Sequence, residues 1–163
     1  MRPMREKPHR LPDIHYVGRK CVAFTACELN RKPLLANDAI HAMVRDTLSN
    51  AANQYGCTVP VYCLMPDHLH VMLYGQTATS RAKDAMIRFK RDSGMWLEEN
   101  RPDLEWQEDF YDHIVRRSEG WENQARYLAL NPVRKGIAED IFAWPYTGSI
   151  GYDRDEVLLD AWW

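Results

Sequence analysis

Two short runs of strand-forming residues, Val59 to Leu64 and His68 to Tyr74, are separated only by Met65-Pro66-Asp67. So short a connection, carrying Pro and Asp, predicts a tight turn and makes the two runs an antiparallel hairpin. Side chains of a strand alternate between its faces. Leu69, Val71 and Leu73 therefore point one way, suited to burial beneath helices. His68 and His70 point the other way, with Cα atoms roughly 6.5–7 Å apart from the strand rise. Two imidazoles at that spacing can converge on one divalent cation. Half-exposed strand histidines without a ligand are the plain alternative, and the pair alone does not choose.

The flanking sequence supplies the partners of this hairpin. Lys20 to Ala26, rich in Val, Phe and Thr, reads as a first strand. Asn37 or Asp38 can cap a helix with apolar positions at Ile40, Met43, Val44, Leu48, Ala51 and Ala52, and Gly56 supplies its stop. A second helix is expected from about Ser80 to Glu99, with Ala82, Met86, Phe89, Trp96 and Leu97 inward. Trp106 to Val115 contains a fourth strand, and Ser118 is expected to cap a third helix running to about Asn131. The order predicts an α+β, ferredoxin-like antiparallel sheet with two helices on one face. The additional C-terminal helix would then dock on the open face.

A chain of 163 residues with 45% hydrophobic side chains suffices for one domain without disulfides. The charged N-terminus lacks a secretion signal, and no run of about 18 apolar residues is present, so a cytoplasmic protein is expected. Cys21, Cys27, Cys57 and Cys63 show no zinc-ligand spacing and read as core thiols. The net charge of −2 argues against an indiscriminate nucleic-acid coat protein. It conceals an asymmetry: residues 1–14 read as a flexible basic arm, and residues 151–163 as an acidic tail ending in a Trp pair. That polarity fits either a one-sided approach to a phosphate backbone or two solvated ends.

In the third helix Trp121, Ala125 and Leu128 form the stripe to be buried. Tyr127 lies off that stripe, on the side of Asn123, Gln124 and Asn131. Tyr127 and Asn131, four residues apart, sit one above the other. Asn131 also precedes Pro132, where an Asn commonly ends a helix, so a purely structural role stays open for it.

Taken together these segments resemble a known family. Tyr62-Cys63-Leu64-Met65-Pro66-Asp67-His68-Leu69-His70-Val71-Met72-Leu73 is similar to the signature of single-tyrosine transposases in the HUH (His-hydrophobe-His) superfamily. The nearest likeness is to the REP-associated tyrosine transposases, which act on repetitive extragenic palindromes. Phe24-Thr25, Arg88-Phe89-Lys90, Trp106 to His113, Tyr127 to Gly136 and Trp144-Pro145-Tyr146 follow in the same order, so the likeness covers most of residues 15–150.

The resemblance implies a transposase domain over residues 15–150. It implies Tyr127 as nucleophile and His68, His70 and Asn131 as ligands of a divalent metal, Mg2+ or Mn2+. Its implied activity is cleavage and rejoining of single-stranded or hairpin DNA, with palindromic repeats as the expected substrate, through a 5′-phosphotyrosine. Monomer and homodimer both stay open.

Other residues are less decisive. Arg81, Lys83, Arg88, Lys90 and Arg91 on the second helix fit DNA-phosphate contacts or an ordinary solvated face. Tyr62, Tyr111 and Trp106 fit base stacking or core packing. Asp67 could support a metal ligand, although its turn position also accounts for it. A non-catalytic DNA- or RNA-binding ferredoxin-like module is the competing function. No aromatic-rich RNA-binding signature on the strands favours it.

Overall fold

The computed structural model describes residues 11–160; residues 1–10 of the expected basic arm and the terminal Trp pair lie outside the described residues. The strands are β1 (Cys21–Cys27), β2 (Cys57–Leu64), β3 (His68–Gly75), β4 (Tyr111–Ile114) and β5 (Thr147–Ile150). The helices are α1 (Asp38–Gln54), α2 (Ala82–Asn100), α3 (Trp121–Ala129), α4 (Asn131–Arg134) and α5 (Arg154–Asp160). Asp13 and Ile14, read as the end of the arm, instead open a 3-10 turn, Asp13–Tyr16, whose Tyr16 is buried.

The strands form one antiparallel sheet in the order β4-β1-β3-β2-β5. Its first four members have the ferredoxin-like arrangement, and β5 extends it beside β2. The hairpin of β2 and β3 lies inside the sheet, with Thr25 of β1 paired to His70 and Cys27 paired to His68.

Alternation divides the molecule into two cores. Leu69, Val71 and Leu73 pack with Ile40, Val44 and Leu48 of α1 and Met86 and Phe89 of α2. On the other face Met72, Val61 and Ala23 pack with Ala125, Leu128 and Ala129 of α3 and Val157 and Leu158 of α5. The expected docking of the third helix on the open face is thus observed. Within the acidic segment from residue 151, α5 contributes Val157 and Leu158 to this second core.

Pro60 sits within β2, and the register shifts there against both β3 and β5. Proline has no N–H for the ladder, and a bulge accommodates it. Val59 and Tyr62 consequently both face the α1/α2 core, whereas Val61 faces the other.

Two element boundaries differ from expectation. Regular pairing in the fourth strand is limited to Tyr111–Ile114, because the Lys90 Nζ draws the carbonyls of Gln107, Glu108 and Asp109 toward α2 at 2.5, 2.8 and 3.1 Å. Ser118 does not cap α3: the helix starts after Gly120, whose φ is +70°, without a side-chain cap. It also ends at Ala129 and breaks into α4, since Pro132 cannot donate to the Leu128 carbonyl. Asn131 Nδ2 donates to that carbonyl at 2.9 Å instead.

Candidate metal centre and tyrosine helix

The backbone of β3 turns His68 and His70 toward the face opposite the α1/α2 core, and their rings meet edge to face with centroids 4.7 Å apart. The two Nε2 atoms are 3.0 Å apart. Each Nδ1 is held from behind. His68 Nδ1 lies 2.6 Å from Asp67 Oδ1, and His70 Nδ1 lies 2.9 Å from Thr25 Oγ1.

Arg31 completes the support. Its Nε donates to Asp67 Oδ2 at 2.9 Å and one terminal N–H donates to Cys27 Sγ at 3.0 Å. Arg31 has a φ of +58° and is the one positive-φ residue other than glycine among the described residues. Left-handed backbone is costly for a side chain with a Cβ, and here the ion pair helps to hold it.

Desolvation pushes the His70 imidazole down to about 3, helped by the charges of His68, Arg134 and Arg31 and opposed by Asp67. Desolvation likewise lowers His68, with the hydrogen bond to Asp67 acting against it. Burial works to raise Asp67, but its bonds with His68 and Arg31 outweigh that and hold the carboxyl low. Both imidazoles are therefore neutral at neutral pH, the form that can ligate a metal.

The donor set suits a divalent cation: two neutral nitrogens converge on one point and each has a second partner fixing its ring. Among the described residues no group of three or more His, Cys, Asp or Glu could complete such a site. A third protein donor would come from another residue type, and the resemblance nominates the Asn131 amide. Its Nδ2 is committed to the Leu128 carbonyl, which leaves Oδ1 as its acceptor end.

Tyr127 is 58% exposed, off the buried stripe of α3 as its spacing predicts. The Arg134 guanidinium stacks on its ring at 4.2 Å and donates to its backbone carbonyl at 2.6 Å. The charge of Arg134 also acts on His70, and that of Lys135 on His68. Tyr127 and His70 thus share Arg134 as a neighbour.

The five basic residues of α2 are placed differently. That helix packs on the opposite face of the sheet from the imidazoles. Arg81 pairs with Asp84, Lys83 with Asp13 at 2.5 Å, and Arg88 and Arg91 with Asp92 at 2.7 and 3.3 Å. Lys90 is bound to the three loop carbonyls. The cations near the histidines are instead Arg31, Arg134 and Lys135. No periodicity marks Arg31 or Thr25 as belonging to the site; only the β1–β3 register brings Thr25 beside His70.

Tyr62 and Trp106 are core residues, with hydrogen bonds to His41 and Ser93 respectively. The four cysteines are buried and free. Burial pushes Cys21 up to about 12 and Cys57 and Cys63 up to about 11, as for inert core thiols. No helix among the described residues is long and apolar enough to cross a membrane.

Residues 20–120 match the family model for IS200-like transposases. A Haemophilus influenzae protein assigned as a REP-associated tyrosine transposase is 23% identical over 133 residues, covering 72% of this chain and 73% of that protein. The Escherichia coli REP-associated tyrosine transposase is 20% identical over 137 residues, covering 82% and 78%. Among solved structures, a REP-associated tyrosine transposase bound to a REP hairpin superposes with a TM-score of 0.70 at 18% identity, covering 88% of this chain and 82% of that one. A structure assigned as a Deinococcus radiodurans transposase has a TM-score of 0.50 at 18% identity, with coverages of 74% and 93%. These structures share the fold, the family model spans more than half of the sequence, and the chain belongs to the IS200-like transposase family.

Proposed function

We propose that this transposase cuts and rejoins single-stranded DNA next to a hairpin, with Tyr127 as nucleophile and a Mg2+ or Mn2+ ion held by His68, His70 and Asn131. The observation that carries the reading is the convergence of two neutral imidazoles, Nε2 to Nε2 at 3.0 Å, on one face of a rigid strand. The hairpin-bound structural neighbour supports the choice of substrate.

Bound there, the cation would act as a Lewis acid on the oxygens of the scissile phosphate. The imidazoles present lone pairs, and the interior of the sheet keeps their rings in place. Tyr127 projects into solvent where a DNA strand can reach it, and Arg134 restrains its ring. Attack by the phenolate oxygen forms the Tyr127–phosphorus bond and breaks the bond to the 3′ oxygen, while the phenol proton passes to solvent. The products are a 5′-phosphotyrosine and a free 3′-hydroxyl. A 3′-hydroxyl attacking in reverse restores a phosphodiester and releases the tyrosine, since a phenolate is both nucleophile and leaving group.

The purified protein, incubated with a single-stranded hairpin substrate and Mn2+, is expected to yield a DNA-linked species on a denaturing gel. Tyr127→Phe should abolish that species, and EDTA should prevent it. Equal cleavage by wild type and Tyr127→Phe would remove Tyr127 from the mechanism.

A further inference from the structure

The hydrogen bonds around the two histidines fix where each proton resides. Asp67 also pairs with Arg31, so it is a carboxylate and can only accept. His68 Nδ1, 2.6 Å away, must therefore be the donor, and His68 Nε2 is left with a bare lone pair. The 3.0 Å contact between the Nε2 atoms then requires the hydrogen to be on His70. His70 Nδ1 consequently accepts, and the Thr25 hydroxyl at 2.9 Å donates to it.

A cation shared by both Nε2 atoms demands something else: His70 must carry its hydrogen on Nδ1 and donate it backward. A carboxylate behind His70 would hold the Nδ1–H form permanently, and a backbone N–H would forbid it. A hydroxyl both donates and accepts, so it can serve either form. Thr25 is partly exposed, which lets its own hydrogen turn to solvent once it accepts.

We infer that Thr25 is a positioning residue that lets His70 exchange its Nε2–H form for the Nδ1–H form when a cation binds, whereas the Arg31–Asp67 pair locks His68 in the Nδ1–H form throughout. One hydrogen moves from Nε2 to Nδ1 of His70, and no net proton is taken up or lost. The inference rests on the metal reading above and adds an asymmetry to it: one histidine is a fixed ligand and the other a convertible one.

The test is 15N NMR of the full chain labelled at histidine, in which two-bond couplings report the tautomer of each ring. Zn2+ serves as the diamagnetic probe, and calorimetry with Mn2+ gives affinity. Without metal, His68 is expected as Nδ1–H and His70 as Nε2–H; with saturating Zn2+, both are Nδ1–H. Thr25→Val should weaken Mn2+ binding about tenfold, the lower end of the usual effect of losing a ligand's outer partner, and Thr25→Ser should restore it. His70 already in the Nδ1–H form without metal, or unaltered by saturating Zn2+, overturns the inference. So does Thr25→Val binding Mn2+ as tightly as wild type while folded by circular dichroism. Wild type that binds neither ion overturns the metal reading and the inference together, and the wild-type calorimetry separates that failure from the others.

Discussion

At His70 the folded protein keeps an imidazole neutral far below the pH at which a free one takes up a proton. The unfolded chain protonates this ring near pH 6.5 and the folded chain only near 3, so the unfolded state binds more protons across that window. The contribution to stability is complete above about pH 6.5 and is lost as pH falls toward 3, at about 1.4 kcal/mol per pH unit. His68 shifts in the same direction, while the depressed Asp67 acts only below the ordinary carboxylate range. Urea unfolding at pH 5 is expected to show a stability about 2 kcal/mol below that at pH 7. His70→Gln should flatten that dependence; an equal slope in the variant would place its origin elsewhere. Gly75 makes a separate prediction at this scale. A Cβ there would meet the Gly18 carbonyl oxygen at 1.9 Å, a backbone atom with little room to yield. Gly75→Ala should cost at least about 3 kcal/mol in the same assay.

Individual elements were legible in the sequence where a single periodicity governed them. In α1 the side chains buried in the structure are the same apolar residues that define its stripe, and Asn37 caps it through Oδ1 to the Ile40 N–H at 3.0 Å. Around α3 the local signals competed. Ser118 has the chemistry of a cap, but the helix waits for Gly120, and Pro132 ends it sooner than its pattern suggests. Asn37→Ala should therefore cost about 1 kcal/mol, whereas Ser118→Ala should stay within about 0.5 kcal/mol, read from thermal or urea midpoints. A Ser118→Ala loss as large as that of Asn37→Ala would restore the cap to Ser118. The histidine pair was legible because alternation is a local rule of strands. Of its supporting residues Asp67 was legible beside the pair, but Thr25 and Arg31 were not: they reach it through pairing and an ion pair across 45 and 36 positions of sequence. The basic face of α2 shows the converse, where charges conspicuous in sequence lie across the sheet from the site.

For the whole molecule, the sheet separates structural support from the candidate chemistry. The α1/α2 side holds the larger core, and the other side carries the imidazoles, α3 and α5. A cation binding only the folded state should stabilise the entire domain, by about 2.7 kcal/mol when free metal is a hundredfold above Kd. Melting with and without Mn2+ is expected to show that gain in wild type and not in His68→Ala; an equal gain in both would move the metal elsewhere. The division also has a temporal side. Residues through Ile114 complete four strands of the sheet and include both histidines, whereas Tyr127 and the helices of the second core follow in the chain. During synthesis, which proceeds from the N-terminus at about 5–20 residues per second, the histidine pair leaves the ribosome before Tyr127. A message cut short between them would yield a polypeptide with the histidines but without the proposed nucleophile.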